Sequence, residues 1–141
     1  MKVRDLYPLI TTARLAAVRD FYVSHFGFAV AFEADWFLYL VGEGEDGARG
    51  ATLAFMTPDH PSNPPGPELF EGRGMILTIE VGDVAAVHDR LTASGAPIDY
   101  PLTREPWGQH RFMTRDPAGV MVDVVEQVDP DPGFWPQYMP G

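Results

Sequence analysis

One acidic residue stands in the middle of an apolar run, where a charged group is costly. Asp123 lies between Val122 and Val124 in what reads as the last strand of the chain. A buried carboxylate is tolerated when it is paired or hydrated. Asp123 can therefore hold a ligand amine or a proton, or it can pair with Arg111 on the neighbouring predicted strand. The sequence leaves both roles open.

A histidine close to that acid is the candidate for proton transfer. Of the four histidines, His110 is the one that falls in a predicted strand, between Gln109 and Arg111. Because imidazole titrates near neutral pH, His110 would be the general acid or base if the protein is an enzyme, with Asp123 as the other catalytic residue. A packing or surface role for His110 is the alternative. No phosphate loop, nucleophile elbow or closely spaced His pair accompanies it.

Three aromatic side chains are placed where a planar ligand could stack. Trp36 and Tyr39 share a predicted strand, and Trp107 lies in a turn beside Gly108. Aromatic rings form good walls for flat apolar molecules, and loops at strand ends often line a binding site. Aromatic residues in strands also commonly belong to the core, so the pattern permits either role.

Composition excludes several classes of function. The 141 residues include 20 acidic and 10 basic residues, a formal net charge of −10. That balance argues against proteins that bind nucleic-acid backbones or anionic membrane surfaces. The chain has no cysteine, which excludes disulfides, thiolate metal sites and a cysteine nucleophile. Without a signal peptide or a long apolar run, we expect a soluble cytoplasmic protein.

A weak internal repeat organises the elements that carry these residues. Residues 15–20 (LAAVRD) resemble residues 84–89 (VAAVHD), 69 positions later, and an apolar run precedes each copy. Periodicity predicts a strand, a helix and three strands in each copy. The predicted first-half elements are residues 6–11, 13–26, 28–33, 36–41 and 51–56. Those of the second half are residues 75–81, 84–94, 98–102, 109–114 and 120–126. Thr12 and Asp83 are the predicted N-caps of the two helices, and Gly27 is the predicted end of the first.

Proline marks the boundaries of the two halves. Residues 58–74 contain five prolines and predict a surface loop, because proline interrupts helices and central strands. We therefore predict one domain over residues 1–128, with halves at about 5–57 and 75–128, and a tail over 129–141. The tail carries Phe134, Trp135 and Tyr138, so we expect it to dock on the domain or on a second subunit.

The motifs in this arrangement resemble a known superfamily. They are Arg19-Asp20-Phe21-Tyr22 with Gly27-Phe28, Val81-Gly82-Asp83-Val84, Trp107-Gly108-Gln109 and Arg115-Asp116-Pro117-Ala118-Gly119. Together with the repeat they resemble the vicinal oxygen chelate superfamily of glyoxalases, bleomycin resistance proteins and extradiol dioxygenases. The resemblance implies an α+β fold in which two tandem βαβββ units form curled mixed sheets around a cleft.

The same resemblance identifies four positions that hold metal ligands in the chelating enzymes. Carried over to this chain, they fall on Tyr7, near Ala54, on Ile76 and on Asp123. Only Asp123 is an ordinary metal ligand, and one carboxylate cannot hold a catalytic divalent ion. The resemblance is therefore closest to the metal-free bleomycin resistance branch, and we expect neither a metal nor another cofactor.

The cleft implied by the resemblance suggests what it binds. Strand alternation gives it a largely apolar wall with soft methionines and a few polar groups, which suits a hydrophobic or aromatic small molecule, cationic or not. The predicted ligand-binding residues are Tyr7, Trp36, Tyr39, Met56, Trp107, His110, Met121 and Asp123. We expect a homodimer, as is common in the family.

Three functions remain open at this stage. The first is a metal-free protein that sequesters a drug or an aromatic metabolite. The second is a metal-dependent lyase, isomerase or extradiol-type dioxygenase whose ligands are displaced, for instance to Glu80, His110 and Asp123. The third is a non-catalytic interaction subunit.

Overall fold

The computed structural model describes residues 1–141, and the chain forms two compact units. The first comprises Met1–Arg73 together with the turn Asp116–Gly119, and the second comprises Gly74–Arg115 with Val120–Gly141. Each unit contains one helix and one four-stranded mixed sheet. The predicted α+β fold of two βαβββ units is confirmed.

The first unit follows the predicted order of elements. They are β1 (Leu9–Thr11), α1 (Leu15–Phe26), β2 (Ala29–Glu33), β3 (Phe37–Glu43) and β4 (Arg49–Met56), with a short 3-10 turn at Glu45–Gly47. The strand order in the sheet is β1-β4-β3-β2, so β1 lies parallel to β4 and β2 forms an outer edge. A parallel pair needs a long crossover, which α1, β2 and β3 supply.

The second unit repeats this topology. Its elements are β5 (Ile76–Glu80), α2 (Val84–Ala93), β6 (Tyr100–Glu105), β7 (Gln109–Arg115) and β8 (Met121–Gln127). The strand order is β5-β8-β7-β6, with β5 parallel to β8. A 3-10 turn at Trp135–Gln137 follows in the tail.

Strand register confirms the internal repeat at residue level. Leu9 pairs with Ala54 in the first sheet, and Thr78 pairs with Asp123 in the second. Both residues of the second pair lie 69 positions after their counterparts, which is the offset read from the helices. The four pairing positions therefore occupy equivalent places in the two sheets.

Each helix packs on one face of its own sheet. In the first unit the ring of Tyr22 on α1 contacts Phe55 on β4, with ring centroids 5.7 Å apart, and both side chains are fully buried. In the second unit His88 on α2 contacts the buried Phe112 on β7 at 5.2 Å. Because side chains alternate along a strand, the residues before and after Phe55 and Phe112 point to the opposite face.

The helix ends differ from the sequence expectation at one point. Asp83 caps α2 as predicted, accepting a hydrogen bond from the Ala86 amide at 3.1 Å, and Gly27 ends α1 in the left-handed conformation with φ 69°. The predicted cap at Thr12 is wrong, since α1 begins two residues later with Arg14 at the N-cap position. The Thr12 hydroxyl instead accepts from the Arg14 amide, which shapes the turn before the helix.

The tail docks on the β6–β7 turn of the second unit, which is one of the two arrangements that we expected. The Trp135 indole N–H donates to the carbonyl of Trp107 at 2.8 Å, and the Asp131 amide donates to the carbonyl of Pro106 at 2.9 Å. Neither α1 nor α2 has the length and apolar character of a membrane-crossing helix.

Candidate functional site

Asp123 lies on the open face of the second sheet, which is the face turned away from α2. Its Oδ2 accepts a hydrogen bond from the Thr78 hydroxyl at 3.2 Å, and its Oδ1 lies 3.6 Å from Nη1 of Arg111. Oδ1 is buried and has no hydrogen-bond partner. Burial raises the pKa of Asp123 above its ordinary value, against the opposing effects of Arg111 and Thr78.

Arg111, on the adjacent strand β7, is held from four directions. Its Nε donates to Oε2 of Glu105 at 2.8 Å, which is shorter than its contact to Asp123. Its guanidinium lies over the rings of Tyr100 and Trp107, at 5.2 Å and 5.0 Å from their centroids. Cation–π contacts of this kind fix a guanidinium in place. We call these five residues the Arg111 cluster.

The Arg111 cluster has more negative than positive charge. It contains one guanidinium and two carboxylates, with side-chain exposures of 18% for Arg111, 9% for Glu105 and 8% for Asp123. Tyr100 also donates to Oε2 of Glu105 at 2.9 Å, so Glu105 is well satisfied and Asp123 is not. A buried carboxylate with a free acceptor position favours a hydrogen-bond donor or a cation.

Apolar side chains share this face with the cluster. Met121 lies two residues before Asp123 and pairs with Ile76 on β5, and Met113 pairs with Asp123. Ile76 is 52% exposed and both methionines are half-buried. The face therefore combines flexible apolar side chains with the largely buried polar groups of the Arg111 cluster, and small-molecule sites often have this composition.

Trp107 is held by a contact with the tail and by a hydrogen bond within the β6–β7 turn. The ring of Phe134 lies 6.3 Å from that of Trp107, and the Trp107 indole N–H donates to the Gln109 side chain at 2.8 Å. Gly108 has φ 108°, and a Cβ there would come within 2.9 Å of the Val128 carbonyl. The turn thus requires glycine both for its backbone conformation and for the close approach of the chain.

His110 does not share this face. It pairs with Glu126 and lies between Gln109 and Arg111 on β7, so alternation turns it to the α2 side. The expectation that His110 lies with Asp123 therefore needs correcting, because the two occupy opposite faces of one sheet. Glu80 lies on the Asp123 face of β5, where its Oε1 accepts from Gln127 at 2.9 Å.

The donor set does not fit the metal of the chelating enzymes. No three side chains of His, Cys, Asp and Glu come together anywhere in the chain in a way that could hold a metal ion. The displaced set of Glu80, His110 and Asp123 is not brought together, since His110 faces α2. A divalent ion with open positions needs about three protein ligands.

The first unit brings together a different part of the predicted site. Tyr7, just before β1, lies edge-on against Tyr39 on β3 with ring centroids 5.0 Å apart. Tyr39 also lines a groove of about 590 Å³ that includes Arg49 and Val41. Small residues form most of its remaining wall: Gly27, Ala29, Ala31, Gly42, Gly47 and Ala48, with Glu43 beside them.

Two other predicted residues of the first unit have different surroundings. Met56 is buried, with 2% exposure, and pairs with Thr11 and Phe37. Trp36 precedes β3, is 37% exposed and packs edge-on against Phe37 at 5.6 Å. Neither residue lines the groove.

Sequence reasoning missed three residues that organise these sites. Glu105 and Tyr100 hold Arg111, and Asp5 holds Tyr39 and Arg49. Glu105 could have been found from its position opposite Gln109 across the β6–β7 turn, because this pairing places it beside β7, the strand that carries Arg111. Asp5 precedes the first strand, and no periodic pattern marks it.

Comparisons with known proteins agree on the family. The profile of the Glyoxalase/Bleomycin resistance protein/Dioxygenase superfamily matches residues 6–124. No curated protein matches the chain as a relative in sequence.

Solved structures show the same fold at low sequence identity. A glyoxalase/bleomycin resistance protein/dioxygenase from Nocardioides aligns with a TM-score of 0.71 and 19% identity, covering 94% of this chain and 89% of the other. A lactoylglutathione lyase from Agrobacterium tumefaciens gives 0.65 and 22%, covering 86% and 91%. TnmS3, an antibiotic binding protein from Streptomyces sp. CB03234, gives 0.65 and 21%, covering 89% and 97%.

These neighbours include a lyase and a binding protein, so the likeness establishes the glyoxalase fold and not one activity. The profile covers most of the chain, and the strand register reproduces the tandem units residue by residue. The chain belongs to the Glyoxalase/Bleomycin resistance protein/Dioxygenase superfamily.

Proposed function

We propose that the protein binds a largely apolar or aromatic small molecule without a metal ion, through the open face of its second sheet. The observation that carries the proposal is the environment of Asp123. At a position where the chelating enzymes place a metal ligand, this chain sets a carboxylate against Arg111 and Thr78, with one buried acceptor oxygen unused.

That unused acceptor suits a ligand with a hydrogen-bond donor, and a cationic amine best. Nη1 of Arg111 lies 3.6 Å from Oδ1, beyond hydrogen-bond distance, and Arg111 makes its shorter contact to Glu105, so Oδ1 keeps an acceptor position for a ligand donor. Met113, Met121 and Ile76 then cover the apolar body of the ligand. A charged hydrogen bond is worth about 1.5–3 kcal/mol, which is enough to favour an amine over a neutral analogue.

A structural neighbour supports small-molecule binding as one use of this fold. TnmS3 is an antibiotic binding protein, and the chain covers 97% of it. The lyase neighbour is the counterpart that would favour catalysis. We favour binding because the donor set for a metal is not brought together.

The test uses two probes that differ in one group, 2-naphthylmethylamine and 2-naphthylmethanol, with tryptophan quenching as the signal. We expect the amine to bind about tenfold tighter than the alcohol, which corresponds to about 1.4 kcal/mol. Asp123→Asn should remove that preference. The matched control is Glu71→Gln, which removes an exposed charge of the 58–74 loop.

Two results would refute this proposal. One is a preference for the amine that survives in Asp123→Asn. The other is stoichiometric uptake of Mn, Fe, Ni or Zn on equilibrium dialysis, followed by metal-dependent turnover of a glyoxalase or dioxygenase substrate.

We also propose that two copies of the chain form a dimer through an edge strand of the first sheet. Strand β2 has one unpaired side and exposes Val30 and Phe32, the latter at 57%. The matching edge β6 carries Pro101 and Arg104, which discourage strand pairing. Phe32→Glu should shift the molar mass measured by light scattering from dimer to monomer, whereas Leu69→Glu, at an exposed loop residue, should not. A wild-type monomer would refute the proposal.

A further inference from the structure

The segment before β1 delivers a carboxylate into a set of donors on the first sheet. Asp5 is half-buried, and both of its carboxylate oxygens are used. Oδ1 accepts from the Thr52 hydroxyl at 2.7 Å and from the Leu6 amide at 2.9 Å. Oδ2 accepts from Nη2 of Arg49 at 2.9 Å and from the Tyr39 hydroxyl.

These donors match a carboxylate as a chemical group. An ionised carboxylate has about four acceptor positions, and three side chains here address them from two strands. Arg49 also donates to the Tyr39 hydroxyl, so the donors are tied to one another. Hydrogen bonds from Tyr39 and Thr52 lower the pKa of Asp5, with the charge of Arg49 adding to the effect, so Asp5 stays ionised at neutral pH.

The donors also adjoin open space. Tyr39 and Arg49 both line the groove of about 590 Å³, whose other walls are mostly glycine and alanine. A flat ring would fit against such small side chains, with an acidic substituent directed at Arg49. Glu43, the one acidic residue of the lining, lies on the same hairpin as Arg49 and pairs with it in the strand register.

We propose that Tyr39, Thr52 and Arg49 form a carboxylate-binding site for an aromatic acid, and that Asp5 occupies it as an internal competitor. This site lies on the first sheet and takes the opposite charge from the amine site around Asp123. It is therefore independent of the function proposed above.

A tethered competitor weakens binding of a free ligand in a defined way. A group on a short flexible segment acts at an effective concentration on the order of millimolar. Free aromatic acids must displace Asp5 before they bind. Removing the Asp5 carboxylate should therefore strengthen the binding of acids and leave neutral analogues unchanged.

The experiment is calorimetric titration of the full chain with 2-naphthoate and with its neutral analogue naphthalene-2-carboxamide. We expect Asp5→Ala to bind 2-naphthoate at least about tenfold tighter than wild type, with no gain for the carboxamide. Asp35→Ala, which removes an exposed acid of the same unit, is the control and should bind like wild type. Adding Arg49→Gln to Asp5→Ala should abolish the gain.

Three outcomes would overturn the proposal. They are no gain in Asp5→Ala, an equal gain for both probes, or a gain that survives Arg49→Gln. If Asp5→Ala does not fold, Asp5→Asn keeps the volume of the side chain and is read by the same criteria. Binding of 2-naphthylmethylamine should be the same in Asp5→Ala and wild type, which separates a failure here from a failure of the amine site.

Discussion

Position for position, the first sheet has Ala54, Phe37 and Tyr39 where the second has Asp123, Arg111 and Met113. On the other face, toward the helices, the equivalent residues remain mostly apolar. Leu53, Phe55 and Leu38 of the first sheet correspond to Val122, Val124 and Phe112 of the second, and all six are buried.

The difference shows which surface the fold needs and which it leaves free. A helix covering one face of a sheet requires an apolar lining there, whatever the protein does. The opposite face carries no such requirement. In the first sheet Asp5 and Tyr7 contact Tyr39 on this face, beside the groove, and in the second sheet the face carries the Arg111 cluster. Differences of function are therefore to be sought on those faces.

The largest effect on stability is expected from removing the cation that distinguishes the second sheet, the guanidinium of Arg111. Arg111→Met leaves Glu105 and Asp123 largely buried without their shared partner. We expect a loss of about 3 kcal/mol in the free energy of unfolding, measured by urea denaturation.

Arg115→Met is the control for Arg111→Met. Arg115 is 40% exposed and pairs with Asp99 at the end of the same strand, so its loss should cost about 1 kcal/mol or less. Replacing the charges together, as Glu105→Gln, Arg111→Met and Asp123→Ala, should restore much of the stability. If Arg111→Met costs no more than Arg115→Met, the cluster is not a coupled unit.

A second prediction concerns a polar contact that the first unit alone has. The Tyr22 hydroxyl donates to Oδ2 of Asp116 at 2.6 Å, whereas the equivalent residue of α2 is the fully buried Leu91. Tyr22→Phe should cost about 1–2 kcal/mol in thermal or urea unfolding, because Asp116 is buried and loses one donor. Tyr138→Phe, at 68% exposure in the tail, should have no measurable effect. Equal effects of the two substitutions would show that the Tyr22 contact is not stabilising.

The smallest expected effect depends on pH. Because burial raises the pKa of Asp123 in the folded state, the folded protein holds that proton more tightly than the unfolded chain. The contribution of Asp123 to stability is then lost as pH rises from its unfolded value, about 3.9, through the raised folded value. Asp123→Asn has no charge to bury, so its Tm should be a few degrees above wild type at neutral pH and converge with it in acid. A lower Tm than wild type at neutral pH would mean that the ion pair with Arg111 outweighs burial.

The fold followed from the sequence because its signals are local or repeated. Apolar spacing located both helices, Asp83 and Gly27 marked their ends, and the 69-residue offset predicted which strands correspond. Strand ends moved by one to three residues, since side-chain alternation does not define where a ladder stops. The cap at Thr12 was wrong because its hydroxyl bonds within the preceding turn instead.

The site was less predictable, because contacts between strands decide it. The pairing of Asp123 with Arg111 was one of two roles left open, and register brings it about. The expectation for His110 was wrong because Phe112, two residues later on β7, packs against His88 of α2. Side-chain alternation then turns His110 to the same side. Asp5 acts from a segment without periodic structure, where no pattern predicts a partner 47 residues away.

The first unit also has a consequence for dissecting the protein. It is discontinuous in the sequence, because Asp116–Gly119 belongs to it although these residues follow β7. A polypeptide ending at Arg73 would lack the Asp116 carboxylate, which accepts the hydrogen bond from the Tyr22 hydroxyl. Residues 1–73 expressed alone should therefore be a poor mimic of the N-terminal unit, and a peptide spanning the β7–β8 hairpin is the piece to supply in a fragment-complementation experiment.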